Sequence, residues 1–388
     1  MKQQELKTFL QQQKNDNRYR QRLVVDSPQA IELLIDGKNY LNFCSNDYLG
    51  LANHPRLKQA LIKGANSYGV GSGASHLING HSRTHHQLEE ELADFVGRPR
   101  ALLFSTGYMA NLGVLSALLG NGDAVFEDRL NHASLLDGGL LSQARLQRFQ
   151  HNDVDDLETK LSNSKTDTKL VCTDGVFSMD GDLARVKQLA VIAKQHDAWL
   201  LVDDAHGLGT LGLLGQGTLE SLDCSLNDVP ILVGTLGKAF GTFGAFVAGD
   251  EDLIETLIQR ARTYVYTTAL PPAVAEATRE SIKLIDEESW RREKLNDNIN
   301  YFKQLASDNG LPDTKSDTAI QPIVIGGVEN TMKLSDALKQ SGILVSAIRP
   351  PTVPEGTARL RITLCTEHNH EQIEKLVDRI SSGMAVQA

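Results

Sequence analysis

The stretch HDAWLLVDDAHG, residues 196–207, reads as a buried strand that ends abruptly in two acids and a histidine. A continuous apolar run of this length is typical of a strand covered on both faces, as in a parallel sheet. Short apolar runs of the same kind lie at 101–104, 170–173 and 231–233. They alternate with stretches in which apolar residues recur at helical spacing, at 84–96, 108–119 and 184–196. Such alternation predicts an α/β fold in which a mostly parallel sheet lies between helices.

The flanking regions differ from this pattern. The first 25 residues predict a polar, amphipathic helix, and two strands near 31–35 and 39–44 follow it, joined by a turn at Asp36-Gly37. Beyond residue 270 the sequence predicts one long charged helix at about 273–308. Three strands follow, near 320–326, 343–347 and 358–364, and segments of helical spacing separate them. We therefore predict three parts: an N-terminal helix and hairpin (1–45), a large domain (46–270) and a small C-terminal α+β domain (271–388).

Composition excludes several classes of protein. The 388 residues carry a net charge of −10, which argues against a nucleic-acid binder because such a surface repels phosphate backbones. The four cysteines are scattered without a paired motif, as in cytosolic proteins, and the N-terminus lacks the apolar core of a signal peptide. Residues 101–122 are uncharged, but polar residues and glycines interrupt them, so a strand, turn and helix is a better interpretation than a membrane span. We predict a cytoplasmic protein with neither nucleic-acid nor membrane partners.

Polar residues follow four of the apolar runs. They are found at 105–108, 173–178, 203–206 and 235–238. Ligands of open α/β sheets bind beyond the carboxyl ends of the strands, so the convergence of these segments predicts an active site.

Three familiar motifs fail when their spacing is checked. GTLGKAFG, residues 234–241, is not a phosphate-binding P-loop, because Leu232 and Ala239 stand where the loop needs glycine and Ser or Thr. The G-x-G-x-x-G match at 207–212 does not follow a strand directly or open a helix, as a dinucleotide site requires. The histidines at 76, 81, 85 and 86 do not form a zinc-protease motif, because Ser82 stands where that motif needs a glutamate. We therefore predict a polar loop leading into a helix and no metal site.

Lys238 is a candidate nucleophile. Burial lowers the pKa of an amine, and a neutral amine attacks carbonyl groups, while glycines on both sides would let a ligand approach closely. A solvated lysine in a glycine-rich hairpin is an equally open interpretation. Asp203 could keep the ring nitrogen of pyridoxal phosphate protonated, or it could cap a helix or form an ion pair. His206 could hydrogen-bond the phenolic oxygen of that ring.

The segment 105–108 precedes a predicted helix, whose first N–H groups could bind a phosphate or could simply be capped. The hydroxyl of Thr235 could add to such a phosphate site. His132 could stack on the cofactor ring, or it could cap the helix that follows it.

These segments are similar to those of the α-oxoamine synthases, pyridoxal-phosphate enzymes of the type I aminotransferase fold, and the resemblance covers essentially the whole chain. The matching segments are NFCSNDYLGL (42–51), HLINGHSRTHHQLEEELADF (76–95), DRLNHASLLDG (128–138), TDGVFSMDGD (173–182), VDDAHGLG (202–209), GTLGKAFG (234–241) and IRPPTVPEGTARLRITL (348–364). The resemblance implies pyridoxal 5'-phosphate as cofactor and Lys238, His132, Asp203 and His206 as catalytic residues. It implies a cofactor site made by Gly107, Tyr108, His132, Ser178, Asp203, His206, Thr235 and Lys238.

Within the family, DDAHG (203–207) and RPPTVP (349–354) favour the member that condenses L-alanine with a pimeloyl thioester, carried on acyl-carrier protein or coenzyme A. The alternatives are synthases like glycine C-acetyltransferase or 5-aminolevulinate synthase. Family position favours Arg361, and then Arg349, for binding the amino-acid carboxylate. The implied substrate site also includes Arg20, Asn46, His132 and Thr352. The fold further implies a homodimer with the site at the subunit interface, where residues 264–268 reach the partner's cofactor.

Overall fold

The computed structural model describes residues 3–387, which form two compact units. The large unit comprises Asp47–Ser178 and Asp182–Glu293, and the small unit comprises the residues up to Asn46, Met179–Gly181 and the residues from Lys294 onward. The division near the C-terminus therefore differs from the predicted one at 270/271. The reason is that helix α11 (Pro272–Glu287) packs on the helices of the large unit: a Cβ on Gly64 would lie 2.8 Å from the Cα of Ala273.

The predicted mostly parallel sheet is confirmed in the large unit. It has seven strands in the order β3-β9-β8-β7-β6-β4-β5. The strands are β3 (Arg100–Phe104), β4 (Ala124–Asp128), β5 (Arg145–Phe149), β6 (Lys169–Asp174), β7 (Trp199–Asp203), β8 (Ile231–Thr235) and β9 (Ala245–Gly249). All run in one direction except β9, which is antiparallel to both of its neighbours. The carboxyl ends of β4, β6, β7 and β8 therefore lie along one edge.

Helices of the large unit include one that is apolar nearly all round, α4 (Gly107–Leu118), which packs against α5 and the strands β8 and β9. The charge-free residues 101–122 thus form β3 and α4, as predicted. The other helices are α2 (Pro55–Tyr68), α3 (Arg83–Phe95), α5 (Ala133–Ser142), α6 (Val154–Ser162), α7 (Val186–Gln195), α8 (Thr218–Ser221), α9 (Glu251–Arg260) and α10 (Arg262–Val265), with a π-helical turn at His76–Gly80. Within residues 3–387, no helix has the length and apolar character needed to cross a membrane.

The small unit contains two three-stranded sheets. In the first, the predicted hairpin of β1 (Glu32–Ile35) and β2 (Lys38–Asn42) is confirmed, and its two turn residues both have positive φ, at 49° and 73°. The remaining elements are β10 (Ile320–Gly326), β11 (Ile343–Leu344), β12 (Ser346–Ile348), β13 (Ala358–Thr363), α1 (Gln3–Asn15), α13 (Val328–Gln340), α14 (His370–Gln387) and the part of α12 (Trp290–Asp308) from Lys294 onward. Strand β11 pairs with β2 in parallel, and β10-β13-β12 form the second, antiparallel sheet.

Two predicted helices have other bounds in the structure. The prediction of a helix over the first 25 residues was too long, because α1 ends at Asn15 and Asn17 takes a left-handed φ of 55°. The predicted helix 273–308 is two helices, α11 and α12, since Glu288 leaves the helical conformation with φ −111° and ψ 55°. Neither change alters the strands that carry the candidate site.

Candidate active site

A cavity of about 170 Å³ in the large unit lies at the carboxyl ends of the parallel strands. Its walls include all eight residues predicted to contact the cofactor, namely Gly107, Tyr108, His132, Ser178, Asp203, His206, Thr235 and Lys238. Ser134, Asp174, Val176 and Ala205 complete the lining. Residues from segments as much as 131 positions apart in the chain are thus brought to one place by the parallel sheet.

Lys238 lies within hydrogen-bond distance of an imidazole. Its Nζ is 2.8 Å from Nε2 of His206, and Nδ1 of the same ring is 2.7 Å from the hydroxyl of Tyr48. Because both ring nitrogens have polar neighbours, the imidazole is held in one orientation. The three side chains form a hydrogen-bonded series that fixes the position of the amine.

The two adjacent carboxylates that end β7 have different environments. Asp203 lines the cavity, and its oxygens accept from Nδ2 of Asn111 at 2.6 Å and from the N–H of Ala205 at 3.1 Å. Asp204 is completely buried and accepts from the N–H and hydroxyl of Thr218, at 2.6 and 2.5 Å, at the start of α8. Burial raises the pKa of Asp204 to about 7, although the bonds from Thr218 oppose the rise. Asp204 is therefore a structural carboxyl, and Asp203 is the one directed to the cavity.

A second carboxyl also faces the cavity. Asp174, at the end of β6, accepts from the N–H of His132 at 3.1 Å through Oδ2, while Oδ1 is buried and has no hydrogen-bond partner among residues 3–387. Burial, and then the charge of Asp203, raises the pKa of Asp174 well above its usual range. A buried carboxyl pair of this kind favours a ligand that brings a positive charge or a donated proton. A pyridinium nitrogen meets that requirement, so the residues present fit pyridoxal phosphate.

The opposite wall suits an anionic group. Helix α4 begins at Gly107, and Thr106 caps it by accepting from the N–H of Met109 at 3.1 Å. No described atom lies within 4 Å of the position of a Cβ on Gly107, so the start of the helix is open to a ligand. Tyr108 donates its hydroxyl to Asp137, and Thr235 donates to the carbonyl of Gly244 at 3.2 Å. Helix N–H groups can donate to a phosphate here, and so can the hydroxyls of Tyr108 and Thr235 when their O–H groups turn from these acceptors to the ligand.

His132 caps a helix, as one interpretation of its sequence context predicted, and it also lines the cavity. It caps α5 by accepting from the N–H of Ser134 at 3.3 Å, and its ring forms part of the cavity wall. Burial lowers the pKa of His132, against the opposing charge of Asp203. The ring is therefore neutral near pH 7, which suits stacking on an aromatic ligand.

Two of the glycines around Lys238 serve the packing of the chain itself. A Cβ on Gly234 would lie 2.5 Å from the ring of Phe246, and one on Gly241, where φ is 65°, would lie 2.5 Å from the backbone nitrogen of Ala52. The expectation that glycines on both sides admit a ligand is therefore wrong for these two positions. Gly237, by contrast, is exposed, and a Cβ there would lie 3.7 Å from its nearest neighbour, a backbone carbonyl oxygen.

The remaining predicted substrate residues belong to the small unit. Arg361, buried in β13, donates from Nη2 to Oδ1 of Asn46 at 3.3 Å. Arg349 instead donates to backbone carbonyls, to that of Tyr19 at 3.0 Å and to that of Asn17. Burial, and then the charge of Arg20, lowers the pKa of Arg349. Thr352 is exposed in the turn that follows and donates its N–H to the carbonyl of Arg349 at 3.1 Å.

Comparison with known proteins shows the family of the chain. Residues 38–380 match the family described as aminotransferase class I and II. An 8-amino-7-oxononanoate synthase of Methylococcus capsulatus is 61% identical over 370 residues, which are 95% of this chain and 96% of that protein. One from Saccharophagus degradans is 58% identical over 382 residues, 98% of this chain and 96% of that protein. The chain belongs to the 8-amino-7-oxononanoate synthase family. The resemblance identified from the sequence is thereby confirmed.

Solved structures show the fold of the 8-amino-7-oxononanoate synthase family and its neighbours. The synthase of Francisella tularensis has a TM-score of 0.80 at 35% identity, covering 90% of this chain and 98% of that chain. A serine palmitoyltransferase of Sphingomonas wittichii has a TM-score of 0.93 at 32% identity, covering 98% of both. A serine palmitoyltransferase of S. paucimobilis, solved with bound PLP, has a TM-score of 0.92 at 32% identity, covering 98% and 97%. The predicted type I aminotransferase fold is confirmed.

Sequence reasoning missed Asp174, which lines the cavity, and Tyr48 and Asn111, which bond the lining residues His206 and Asp203 of this 8-amino-7-oxononanoate synthase family member. Asp174 and Tyr48 lie in segments that carried the resemblance, TDGVFSMDGD and NFCSNDYLGL, and Asp174 also ends an apolar run. Asn111 is the one amide in the apolar helix α4, where a buried polar side chain needs a partner. That rule could have singled out Asn111, but only the fold shows that its partner is Asp203.

Proposed function

We propose that the chain catalyses the decarboxylative condensation of L-alanine with a pimeloyl thioester, giving 8-amino-7-oxononanoate, carbon dioxide and the free carrier, a step of biotin biosynthesis. It is a pyridoxal-phosphate-dependent C-acyltransferase. The observation that carries this function is the placement of the Lys238 amine beside His206 in the cavity that Asp203 and Asp174 also line. Curated relatives 56–61% identical over nearly the whole chain bear the name of this activity and support the choice of substrates.

The cofactor would be held at three points. Lys238 would bind its aldehyde covalently, Asp203 would pair with the ring nitrogen, and the start of α4 with Ser178 and Thr235 would bind the phosphate. His206 would hydrogen-bond the phenolic oxygen. When bound, pyridoxal phosphate supplies an electron-withdrawing ring that accepts the electron pair left on the amino-acid carbon.

The side chains then have separate tasks. Nζ of Lys238, once free, removes the α-proton of L-alanine, and its 2.8 Å approach to His206 keeps it in position. Asn111 and the N–H of Ala205 hold the carboxylate of Asp203 in place. His132 lines the cavity, and burial lowers its pKa. From there its ring would stack on the cofactor and polarise the acyl carbonyl.

Arg361 binds the carboxylate of L-alanine in this proposal. The planar guanidinium of arginine can bind a carboxylate with two parallel hydrogen bonds. Arg349 is less suited, since its Nε and Nη2 already donate to the carbonyls of Asn17 and Tyr19. Arg20, Asn46 and Thr352 contact the pimeloyl group in this proposal. The carrier of that group is either acyl-carrier protein or coenzyme A.

We further propose a cytoplasmic homodimer with the site at the subunit interface. The residues 264–268 would reach the partner's cofactor, and the 73% exposure of Tyr266 supports a role in contacts outside its own chain. Molar mass measured by light scattering tests the dimer; a monomer at working concentrations would overturn that part.

Turnover assays test the function directly. Protein loaded with pyridoxal phosphate should release carbon dioxide and free thiol from L-alanine with pimeloyl-CoA, and Lys238→Ala should abolish both. Lys58→Ala, an exposed lysine on α2, is the matched control and should retain full turnover. Full activity of Lys238→Ala would contradict the enzyme assignment. Equal or better turnover of glycine with acetyl-CoA or succinyl-CoA would replace the substrates by those of the related synthases.

A further inference from the structure

A second group of titratable side chains lies in the large unit, at the π-helical turn and the first half of α3. His81, His86 and Glu89 each offer one ligand atom, and the three atoms lie within 4.8 Å of one another. These side chains line a cavity of about 280 Å³, whose described lining has no residue in common with the cofactor cavity. Glu89 thus contributes a carboxylate to the cluster from α3, three positions after His86.

His81 is oriented as histidine ligands of metals usually are. Its Nδ1 lies 2.9 Å from Nδ1 of His76, and its Nε2 lies 3.8 Å from Oε2 of Glu89. Metal-binding imidazoles almost always donate their other N–H to a neighbouring acceptor, which fixes the tautomer. In the tautomer that carries its proton on Nδ1, His81 has such an acceptor in Nδ1 of His76, whose ring is stacked on Tyr264 with centroids 5.1 Å apart. The Nε2 lone pair of His81 then lies next to Glu89.

Glu89 is held from its other side. Its Oε1 accepts from the N–H of Leu103 at 3.0 Å, which leaves Oε2 directed to His81. Oε2 of Glu89 therefore lies next to Nε2 of His81 in the wall of the cavity.

His85 is excluded as a ligand although it is close by. Its Nδ1 accepts from the N–H of Ser82 at 3.0 Å, and its Nε2 lies 2.7 Å from the carbonyl oxygen of Leu270. Both ring nitrogens are therefore engaged in holding the start of α3. His86 by contrast is half-exposed, next to Glu90 at 3.5 Å, and its ring can turn toward the cavity.

We propose that His81, His86 and Glu89 bind a divalent transition-metal ion, with Zn²⁺ as the best match, and that His76 positions His81. Two imidazoles and a carboxylate are a common ligand set for zinc, with a fourth position left for water or a small ligand. Zinc bonds of about 2.0–2.2 Å at tetrahedral angles place neighbouring ligand atoms about 3.3 Å apart. The 3.8 Å between His81 and Glu89 needs a closure of only about half an ångström.

Metal titration of the pyridoxal-phosphate-loaded protein tests the site, because the cofactor then fills the other cavity. Calorimetry with Zn²⁺ should show one ion per chain, and Co²⁺ should give a visible absorption band of a four- or five-coordinate ion. His86→Ala should weaken binding at least tenfold, and His76→Phe should weaken it about 10–100-fold, as loss of a positioning partner does. His196→Ala, at the end of α7, is the control and should leave affinity unchanged.

Folding of the variants is checked separately from binding. His86 is exposed, so its loss does not threaten folding, and thermal melting of each variant verifies this. Zn²⁺ binding that His86→Ala and His76→Phe leave unchanged would overturn the proposal, as would the absence of binding by the unmodified protein. Since turnover is not the readout, the outcome is independent of the proposed reaction.

Discussion

His151 should make the stability of the large unit depend on pH. Its ring lies between two carboxylates, with Nδ1 3.0 Å from Asp128 at the end of β4 and Nε2 2.9 Å from Asp182. The ring edge also packs on Phe177, with centroids 4.4 Å apart, and Phe177 lies between Val176 and Ser178 of the cavity wall. His151→Gln keeps a polar side chain of similar length but removes the charge.

The size of the effect follows from the pKa. Burial alone would lower the pKa of His151, but hydrogen bonds to Asp128 and Asp182 and their charges raise it to about 10. Because this is above the unfolded value of about 6.5, the protonated ring stabilises the fold fully below that pH, and the contribution is lost as the pH rises toward 10. At 1.36 kcal/mol per unit, about 2 kcal/mol disappears between pH 7.5 and 9. The side chain is 27% exposed, and solvent screening reduces this to about 1–2 kcal/mol.

Urea unfolding of the wild type and of His151→Gln at pH 7.5 and 9 measures the contribution of the protonated His151 ring to the free energy of unfolding. Both tryptophans, Trp199 and Trp290, belong to the large unit, so their fluorescence follows its unfolding. The difference in unfolding free energy between the two proteins should shrink by about 1–2 kcal/mol at pH 9. His370→Gln, which removes a surface pair with Asp297, is the control and should change stability by less than about 1 kcal/mol. A difference that is the same at both pH values would refute the reasoning.

Two further variants separate structural from functional side chains at the cavity. Asp204→Ala leaves the N–H and hydroxyl of Thr218 without their acceptor, so the unfolding free energy should fall by about 2–3 kcal/mol. Affinity for pyridoxal phosphate should change little. A large loss of affinity at unchanged stability would contradict this. Tyr48→Phe removes the partner of His206 Nδ1, so the pH midpoint of the bound cofactor's absorption should move by about half a unit or more; an unchanged midpoint would show that the hydroxyl does not act through His206.

The sequence predicted the parts of the site that follow apolar runs. The strands buried on both faces are recognisable as continuous runs, and the polar residues just beyond them, such as Asp203 and Lys238, lie in one cavity because parallel strands end together. Asp203 was predicted from its place at the end of a buried strand, but what distinguishes it physically from Asp204, the bonds from Thr218 to Asp204, needed the structure.

The remaining features depend on contacts between distant parts of the chain. Asn111 meets Asp203 across 92 positions and Tyr48 meets His206 across 158, and no local pattern encodes such pairs. The roles of Gly234 and Gly241 were misjudged for the same reason, since Phe246 and Ala52 occupy the space beside them. The histidine cluster was judged by helical spacing alone, whereas His81 precedes α3 and only the fold shows that it lies near His86 and Glu89.

The parallel pairing of β2 with β11 has a consequence for the order of folding during synthesis. Leu41 and Asn42 pair with Ile343 and Leu344, so the first sheet of the small unit cannot close until some 300 further residues have been made. The large unit, including Lys238 and its cavity, ends at Glu293 and can fold earlier, as domains do on the ribosome. The nascent chain would thus contain the cavity for the cofactor well before Arg361 is made and bonds to Asn46. Until β11 is made, the edge of β2 in the β1–β2 hairpin lacks its partner strand and is open to mispairing, so chaperones that bind the chain at that stage would meet this edge.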